Sequence, residues 1–414
     1  MKILHLSTGD IDGGAFRGAY WLHQGLIEAG CDSKMLVSRK KSDDFTVIAP
    51  ENKLYHLINI LISRLDRIPL LFYKNRTYNS FSHSWISSKI NQQVQNCNPD
   101  IINLHWINGG FVKPESLVNF RKPIVWTLRD EWPFTGGCHY AGDCIKYKNS
   151  CGTCPQLGSH IENDISKKLW HRKQKAWQNL DITVVAISHW LAKCARESSL
   201  FKDKIIEVIP NALDELKFKP IDKKIAREIL NIPQNKKIIL FGALDAIKNE
   251  RKGFQYLIPA LQKLSNNGFG ESTELLIFGS SQPKEPPNLG MKSHYMGKLH
   301  DDTTLALTYA AADVTVTPSI EEAFGKTAME SLACGTPVVS FDSTGLKDIV
   351  EHEENGYRAK LFSSDDLANG IAWILKDEQR WQALSRQGRE KVEQEFTLKK
   401  QAEAYLKIYS QLLK

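Results

Sequence analysis

Two glutamates, Glu322 and Glu330, stand eight positions apart in IEEAFGKTAMESLACGTPVVS, residues 320–340. On one helix they would be turned about 80° from each other and separated by about 12 Å along the axis, a poor arrangement for shared chemistry. Gly325 argues for a different geometry. A loop ending near Phe324-Gly325 and a helix starting near Lys326 leave Glu322 before the helix and Glu330 about one turn inside it, so both carboxylates can border one cleft. The free N–H groups at such a helix start form an anion site, and Lys326 adds a charge beside it.

A second cluster is CHYAGDCIKYKNSCGTCP, where Cys138, Cys144, Cys151 and Cys154 follow a C-x5-C-x6-C-x2-C pattern. Four thiolates this close in sequence can wrap one tetrahedral zinc, which would be structural because no position is left for water. His139 is a candidate substitute ligand. Two disulfides or free thiols are the alternatives, and an intracellular setting argues against disulfides. The remaining cysteines, Cys31, Cys97, Cys194 and Cys334, are scattered and read as small buried residues. His105 ends the run IINLH just before WINGG, where a strand exit delivers it to a cleft.

The elements that must hold these residues alternate. KILHLS is a short apolar run closed by a loop containing Gly13 and Gly14, and AFRGAYWLHQGLIEAG then has helical spacing and stops at Gly30. SKMLVS, DIINLHWINGG, KPIVWTLRD and ITVVAIS repeat the strand pattern with spacers long enough for helices. After Pro210, Asn211 and Pro220 a second series follows: KKIILFGA, ELLIFGS, SHYMG, ADVTVTPS and TPVVSFD. Such alternation predicts an α/β class of two doubly wound parallel sheets, with ligands beyond the carboxyl ends of the strands. The expected domains are 1–210, containing the cysteine loop 138–154, and 211–395. The terminal helix, 396–414, has Leu398, Ala402, Tyr405, Leu406 and Tyr409 on one side and is expected to pack back on the first domain.

The totals agree with two domains: 414 residues exceed one ordinary core. A net charge of +7, from 54 basic and 47 acidic residues, suits an anionic ligand or surface but is too diffuse for nucleic acid. The N-terminal apolar run is too short for a signal peptide, and no stretch approaches the roughly 18 apolar residues of a membrane span. The expected location is the cytoplasm. Residues 52–76, NKLYHLINILISRLDRIPLLFYKNR, mix apolar residues with Lys53, Arg64, Arg67, Lys74 and Arg76 against the single acid Asp66. This segment can lie on the inner face of an anionic plasma membrane, or cover the first sheet with a solvated basic edge.

PSIEEAFGKTAMESLACGTPVV resembles the Glu-x7-Glu signature of retaining glycosyltransferases of family 4, which have two facing Rossmann-like domains, the GT-B fold. DIDGGAFRGAYWLHQGLIEAG resembles that family's glycine loop and first helix, VIPNALDELKFKP its interdomain segment and RKGFQYLIPAL its phosphate-binding lysine region. YMGKLHDDTTLALTYAAADVTVTPS resembles the stretch that holds the nucleotide base. The cysteine insertion resembles one in a bacterial polysaccharide branch of the family.

The resemblance implies that Glu330 binds the ribose hydroxyls, that Glu322 and His105 contact the donor sugar, and that Lys252 meets the diphosphate. Gly13, Gly14, Thr327 and the amides around Phe324, Gly325 and Lys326 would complete donor binding. Breaking a bond between sugar and nucleoside diphosphate builds negative charge on the leaving group, which fixed cations and helix starts stabilise. The family's usual arginine after the first glycine of FGALDAIKNERKGF is Ala243 here, so Arg251, from a longer loop that also contains Lys248, is expected to replace it. In an extended stretch Arg251 and Lys252 would point oppositely, and only one would reach phosphate. The family's His-Asp is Arg129-Asp130 here, which removes the histidine and leaves Arg129 available to an anionic acceptor.

The implied activity is transfer of a hexose-type sugar, with retention and without a catalytic metal, from a UDP- or GDP-sugar to a glycan or lipid-linked acceptor in bacterial surface polysaccharide assembly. A sugar-nucleotide epimerase, or a non-catalytic sugar-nucleotide-binding protein, are the rival readings. A phosphorylase would need a pyridoxal lysine, which the sequence does not offer.

Overall fold

Short runs of β-branched and aliphatic residues become strands whose side chains are buried on both faces, as strands between two helical layers must be. The computed structural model describes residues 1–49, 53–77, 80–87, 90–242, 249–299 and 301–414. Its chain forms two units, Met1–Ala212 with Leu398–Lys414, and Leu213–Thr397.

In the first unit, β1 (Lys2–Gly9), β2 (Asp32–Arg39), β3 (Val47–Ile48), β4 (Ile101–Leu104), β5 (Ile124–Leu128), β6 (Ile182–Ala186) and β7 (Ile206–Val208) form one sheet. The order is β3-β2-β1-β4-β5-β6-β7, and each pairing is parallel. The winding reverses between β1 and β4, so the loops after these two strands flank the switch point where such sheets take ligands. The helix Leu398–Leu412 returns to this unit. Ala402, Tyr405 and Tyr409 pack with Ile3, Leu22 and Val125. Polar contacts fix its register: Asn103 Nδ2 donates to Tyr409 at 2.7 Å, and the Thr127 and Tyr405 hydroxyls are 2.8 Å apart.

In the second unit, β8 (Lys237–Gly242), β9 (Thr273–Phe278), β10 (Ser293–Tyr295), β11 (Val314–Thr317), β12 (Val338–Phe341) and β13 (Gly356–Ala359) form a parallel sheet of order β10-β9-β8-β11-β12-β13. Phe241, Leu257, Leu261, Val316, Val339 and Ile371 form part of its core. Here the switch point lies between β8 and β11. The loop after β8 leads to Arg251 and Lys252, and the loop after β11 carries Glu322. The topology therefore brings together the two stretches that the sequence marks for charge chemistry.

Candidate functional site

In the second unit the loop after β11 and the segment 249–253 are locked to each other. The Ile320 N–H donates to the Arg251 carbonyl at 2.8 Å. Gly253 has φ +70, and a Cβ there would lie 1.7 Å from the Pro318 carbonyl oxygen, so only glycine lets the two backbones meet. Glu250–Lys252 forms a turn of 3-10 helix rather than an extended stretch. That corrects the expectation that Arg251 and Lys252 diverge: both reach Glu322. Lys252 Nζ bonds Glu322 Oε1, and Arg251 Nη1 lies 3.5 Å from Oε2 while also donating to the Glu321 carbonyl. The Ser319 hydroxyl adds a bond to Oε1 at 3.1 Å.

Burial alone would raise the Glu322 pKa, but the Lys252 ammonium and Arg251 guanidinium outweigh it and hold the value at about 2. Two cations thus sit on one ionised carboxylate in a side-chain cluster that is only 15–24 % exposed. Such an arrangement can hand its cations to an anion, or its carboxylate to hydroxyl groups. Ala243 and Lys248 lie outside the described residues.

The helix Lys326–Ala333 begins at Gly325, with φ +116 and no side-chain cap. A Cβ on Gly325 would meet Leu346 at 2.5 Å. Lys326 and Thr327 are half-buried in the first turn. The Phe324 ring points inward, edge-on to Phe396 at 5.6 Å, so of this residue only the backbone is available to a ligand. Glu330 is inside the helix, as the spacing predicts, and is 3 % exposed. Its Oε2 accepts from the Tyr309 hydroxyl at 2.9 Å. Its Oε1 lies 2.7 Å from Lys326 Nζ in ion-pair contact, yet out of line for any hydrogen bond. Burial, then the Glu330 charge, pushes the Tyr309 phenol up, so it stays a donor. Tyr309 as the residue that orients Glu330 is not signalled by the sequence, because the pair is joined only through folding.

In the first unit the glycine loop after β1 leads into the helix Gly14–Glu28, with Gly13 at φ +120 as its start. A Cβ on Gly14 would meet nothing within 4 Å. The Asp10 carboxylate braces this loop by accepting from the Ile11, Lys41 and Ser42 amides.

His105 and Arg129 are both buried. His105 is 2 % exposed. Its Nε2 is 2.9 Å from His5 Nδ1 and its Nδ1 is 3.2 Å from Arg129 Nη2. Burial foremost, then Arg129, depresses its pKa. Arg129 turns inward to Asn211 Oδ1, and burial lowers its pKa to about 10. The strand end thus delivers His105 into a polar core with His5 and Arg129.

The cysteine loop places Cys138, Cys144, Cys151 and Cys154 around one cavity of about 20 Å³. The Gly136 N–H donates to Cys151 Sγ at 3.1 Å. Among the described residues, no three His, Cys, Asp or Glu side chains are arranged to hold a metal ion, and none of the cysteines is in a disulfide. His139 does not line this cavity: its Nδ1 lies 2.6 Å from Asp130 Oδ2 and its Nε2 2.8 Å from the Ser82 hydroxyl.

The segment after β3 contains the helix Lys53–Leu65 and the 3-10 helix Ile68–Phe72. It leaves Leu57, Leu61, Leu71 and Phe72 exposed, beside the exposed Arg64, Arg67, Lys74 and Arg76. No helix among the described residues is long and apolar enough to cross a membrane.

Residues 222–391 match the family model described as glycosyl transferases group 1. An uncharacterised glycosyltransferase of Methanocaldococcus jannaschii is 34 % identical over 159 residues, 36 % of this chain and 39 % of the relative, so the chain covers well under half of that protein. A D-inositol 3-phosphate glycosyltransferase of Saccharomonospora viridis is 25 % identical over 336 residues, 76 % of this chain and 70 % of the relative. Among solved structures, sucrose-phosphate synthase of Thermosynechococcus elongatus superposes with a TM-score of 0.69 at 21 % identity, covering 100 % of this chain and 99 % of that one. HepE of Anabaena, solved with UDP and glucose, gives 0.64 at 17 % identity over 99 % of both chains. In fold the chain is thus an α/β protein of two Rossmann-like units, as in the GT-B glycosyltransferases, and its residues 222–391 carry the sequence pattern of glycosyl transferases group 1.

Proposed function

We propose that the protein is a retaining glycosyltransferase that moves a hexose-type sugar from a UDP- or GDP-sugar to a glycan or lipid-linked acceptor in bacterial surface polysaccharide biosynthesis. The observation that carries this reading is the pair of carboxylates in the family-matched segment. Glu322 is held by Lys252 and Arg251, and Glu330 is buried with one oxygen free of hydrogen bonds. A ribose hydroxyl donating to Glu330 Oε1 would give that buried oxygen, now held only by the ion pair with Lys326, the hydrogen bond it lacks. A diphosphate arriving near the uncapped helix start would compete with Glu322 for the two cations. Glu322, so released, would accept from the sugar hydroxyls.

Departure of the nucleoside diphosphate is then eased by Lys252, Arg251 and the helix amides, without a metal and without a covalent carboxylate intermediate. The UDP complex of HepE favours UDP as the first donor to try. The test is a thermal-shift screen of UDP- and GDP-sugars, followed by nucleoside diphosphate release with and without candidate acceptors. Release that rises only with acceptor supports transfer; donor binding with no release under any acceptor supports a non-catalytic binder.

Two further parts belong to this reading. The exposed apolar residues of 57–72, rimmed by Arg64, Arg67, Lys74 and Arg76, would rest on an anionic membrane surface and bring the enzyme to a lipid-linked acceptor. A structural zinc on Cys138, Cys144, Cys151 and Cys154 would require the four thiols to converge on the cavity they already share. Elemental analysis of the purified protein decides it: one zinc per chain, lost in Cys151→Ser, against none.

A further inference from the structure

The cysteine loop delivers His139 to the carboxyl end of β5, where Asp130 waits. Asp130 Oδ2 accepts a hydrogen bond from His139 Nδ1 at 2.6 Å and another from Trp106 Nε1 at 2.8 Å. Holding the proton on Nδ1 leaves a lone pair on Nε2, and the Ser82 hydroxyl lies 2.8 Å from it. The imidazole stacks on Trp106 with ring centres 5.3 Å apart. Backbone bonds fix both sides: the Glu131 N–H donates to the His139 carbonyl at 3.0 Å and the His139 N–H to the Ser80 carbonyl at 3.1 Å. Such a chain of carboxylate, imidazole and hydroxyl is more elaborate than loop packing needs, and the donor chemistry of the second unit does not use it.

The Ser82 and His139 side chains line a cavity of about 530 Å³ within the first unit. Three cations, Arg67, Lys74 and Arg76, line it as well, and the one acidic residue among the described lining residues, Asp66, is engaged by the Trp85 N–H at 3.1 Å. Gln156 also lines it, with a buried Oε1 that has no hydrogen-bond partner. Cations gathered against one set of oriented hydrogen-bond acceptors define a ligand with two kinds of group. A bare anion would not need the acceptors, and a neutral sugar would not need three cations. The volume is that of a small-ligand site.

We propose that this cavity binds an acidic sugar, one bearing a phosphate or a carboxylate, as the acceptor-side group of the glycosyl transfer proposed above, on which this inference rests. Arg67, Lys74 and Arg76 take the anionic group. The Ser82–His139–Asp130 chain and Gln156 Oε1 read sugar hydroxyls, with His139 a positioning residue that acts through Ser82.

Ligand-observed NMR on the full chain tests this with glucose 1-phosphate, glucuronic acid, glucose and inorganic phosphate, with UDP binding and melting temperature measured on every variant. At least one acidic sugar binds 10-fold or more tightly than glucose, and the paired change Arg67→Ala with Arg76→Ala removes that preference. His139→Phe and Ser82→Ala weaken acidic-sugar binding 5-fold or more, leave inorganic phosphate unchanged, and leave UDP binding at the parental value. Equal binding of glucose and both acidic sugars overturns the proposal, as does full insensitivity to the arginine pair. Inorganic phosphate that displaces glucose 1-phosphate at equal affinity, with His139→Phe silent, overturns the hydroxyl-reading role. UDP binding with a flat sugar series refutes this cavity assignment alone, whereas loss of donor binding refutes the reading beneath it.

Discussion

Replacing Glu322 with Gln removes the carboxylate that gathers Lys252 and Arg251 while keeping its size. The structure supplies the magnitude. The Glu322 pKa falls from an ordinary 4.5 to about 2, and at about 1.36 kcal/mol per unit the ionised form gains about 3 kcal/mol. The side chain is only 15 % exposed, so solvent screening takes little of this. Because the folded value lies below the unfolded one, the stabilisation is complete above about pH 4.5 and drains away as pH falls toward about 2. In scanning calorimetry at pH 7 the Gln variant should melt roughly 6–12 °C below the parent, at about 2–4 °C per kcal/mol for a unit of this size. By about pH 3 more than half of that gap should be gone. The same substitution releases two cations, so UDP should bind the variant as tightly as the parent or more so, while sugar transfer falls about 100-fold or more, as for a lost charge partner. A gap below about 1 kcal/mol, or one that does not change with pH, would refute the reasoning from charge pairing.

Gly253→Ala should separate the two loops that build the cation cluster, since its added carbon would fall on the Pro318 carbonyl. The expected loss is about 2–4 kcal/mol in chemical denaturation, together with loss of donor binding. Tyr409→Phe leaves the Asn103 amide, which now donates at 2.7 Å, without its buried acceptor. It should cost about 1–3 kcal/mol of stability and leave UDP affinity unchanged in calorimetric titration. Leu71→Asp with Phe72→Asp replaces two exposed apolar side chains; co-sedimentation with anionic phospholipid vesicles should drop 10-fold or more, and an unchanged bound fraction would remove the membrane from the account.

Strand and helix periods made the α/β architecture legible, because parallel strands buried on both faces must be written as continuous apolar runs. KKIILFGA and TPVVSFD are such runs and became β8 and β12. The break at Gly325 was legible for a local reason: the positive φ there demands glycine, which puts Glu322 before the helix and Glu330 inside it. The orientation of Arg251 and Lys252 was not legible, since a three-residue turn of 3-10 helix leaves no periodic trace.

His105 shows a different limit. Its place at a strand end is visible in the sequence, but its burial depends on His5 and Arg129, far along the chain. His139 sat among cysteines and was read with them. Its pairing with Asp130, Trp106 and Ser82 depends on a loop that folds back on β4 and β5, and no spacing rule encodes that return.

The central claim is that Glu330 and the cations beside Glu322 hold a nucleotide sugar in the second unit. Isothermal titration of the best UDP- or GDP-sugar into the parent and Glu330→Ala tests it most directly. The account predicts that affinity falls 10-fold or more in the variant, with the melting profile of the first unit unchanged. Equal affinity in the two proteins would contradict it.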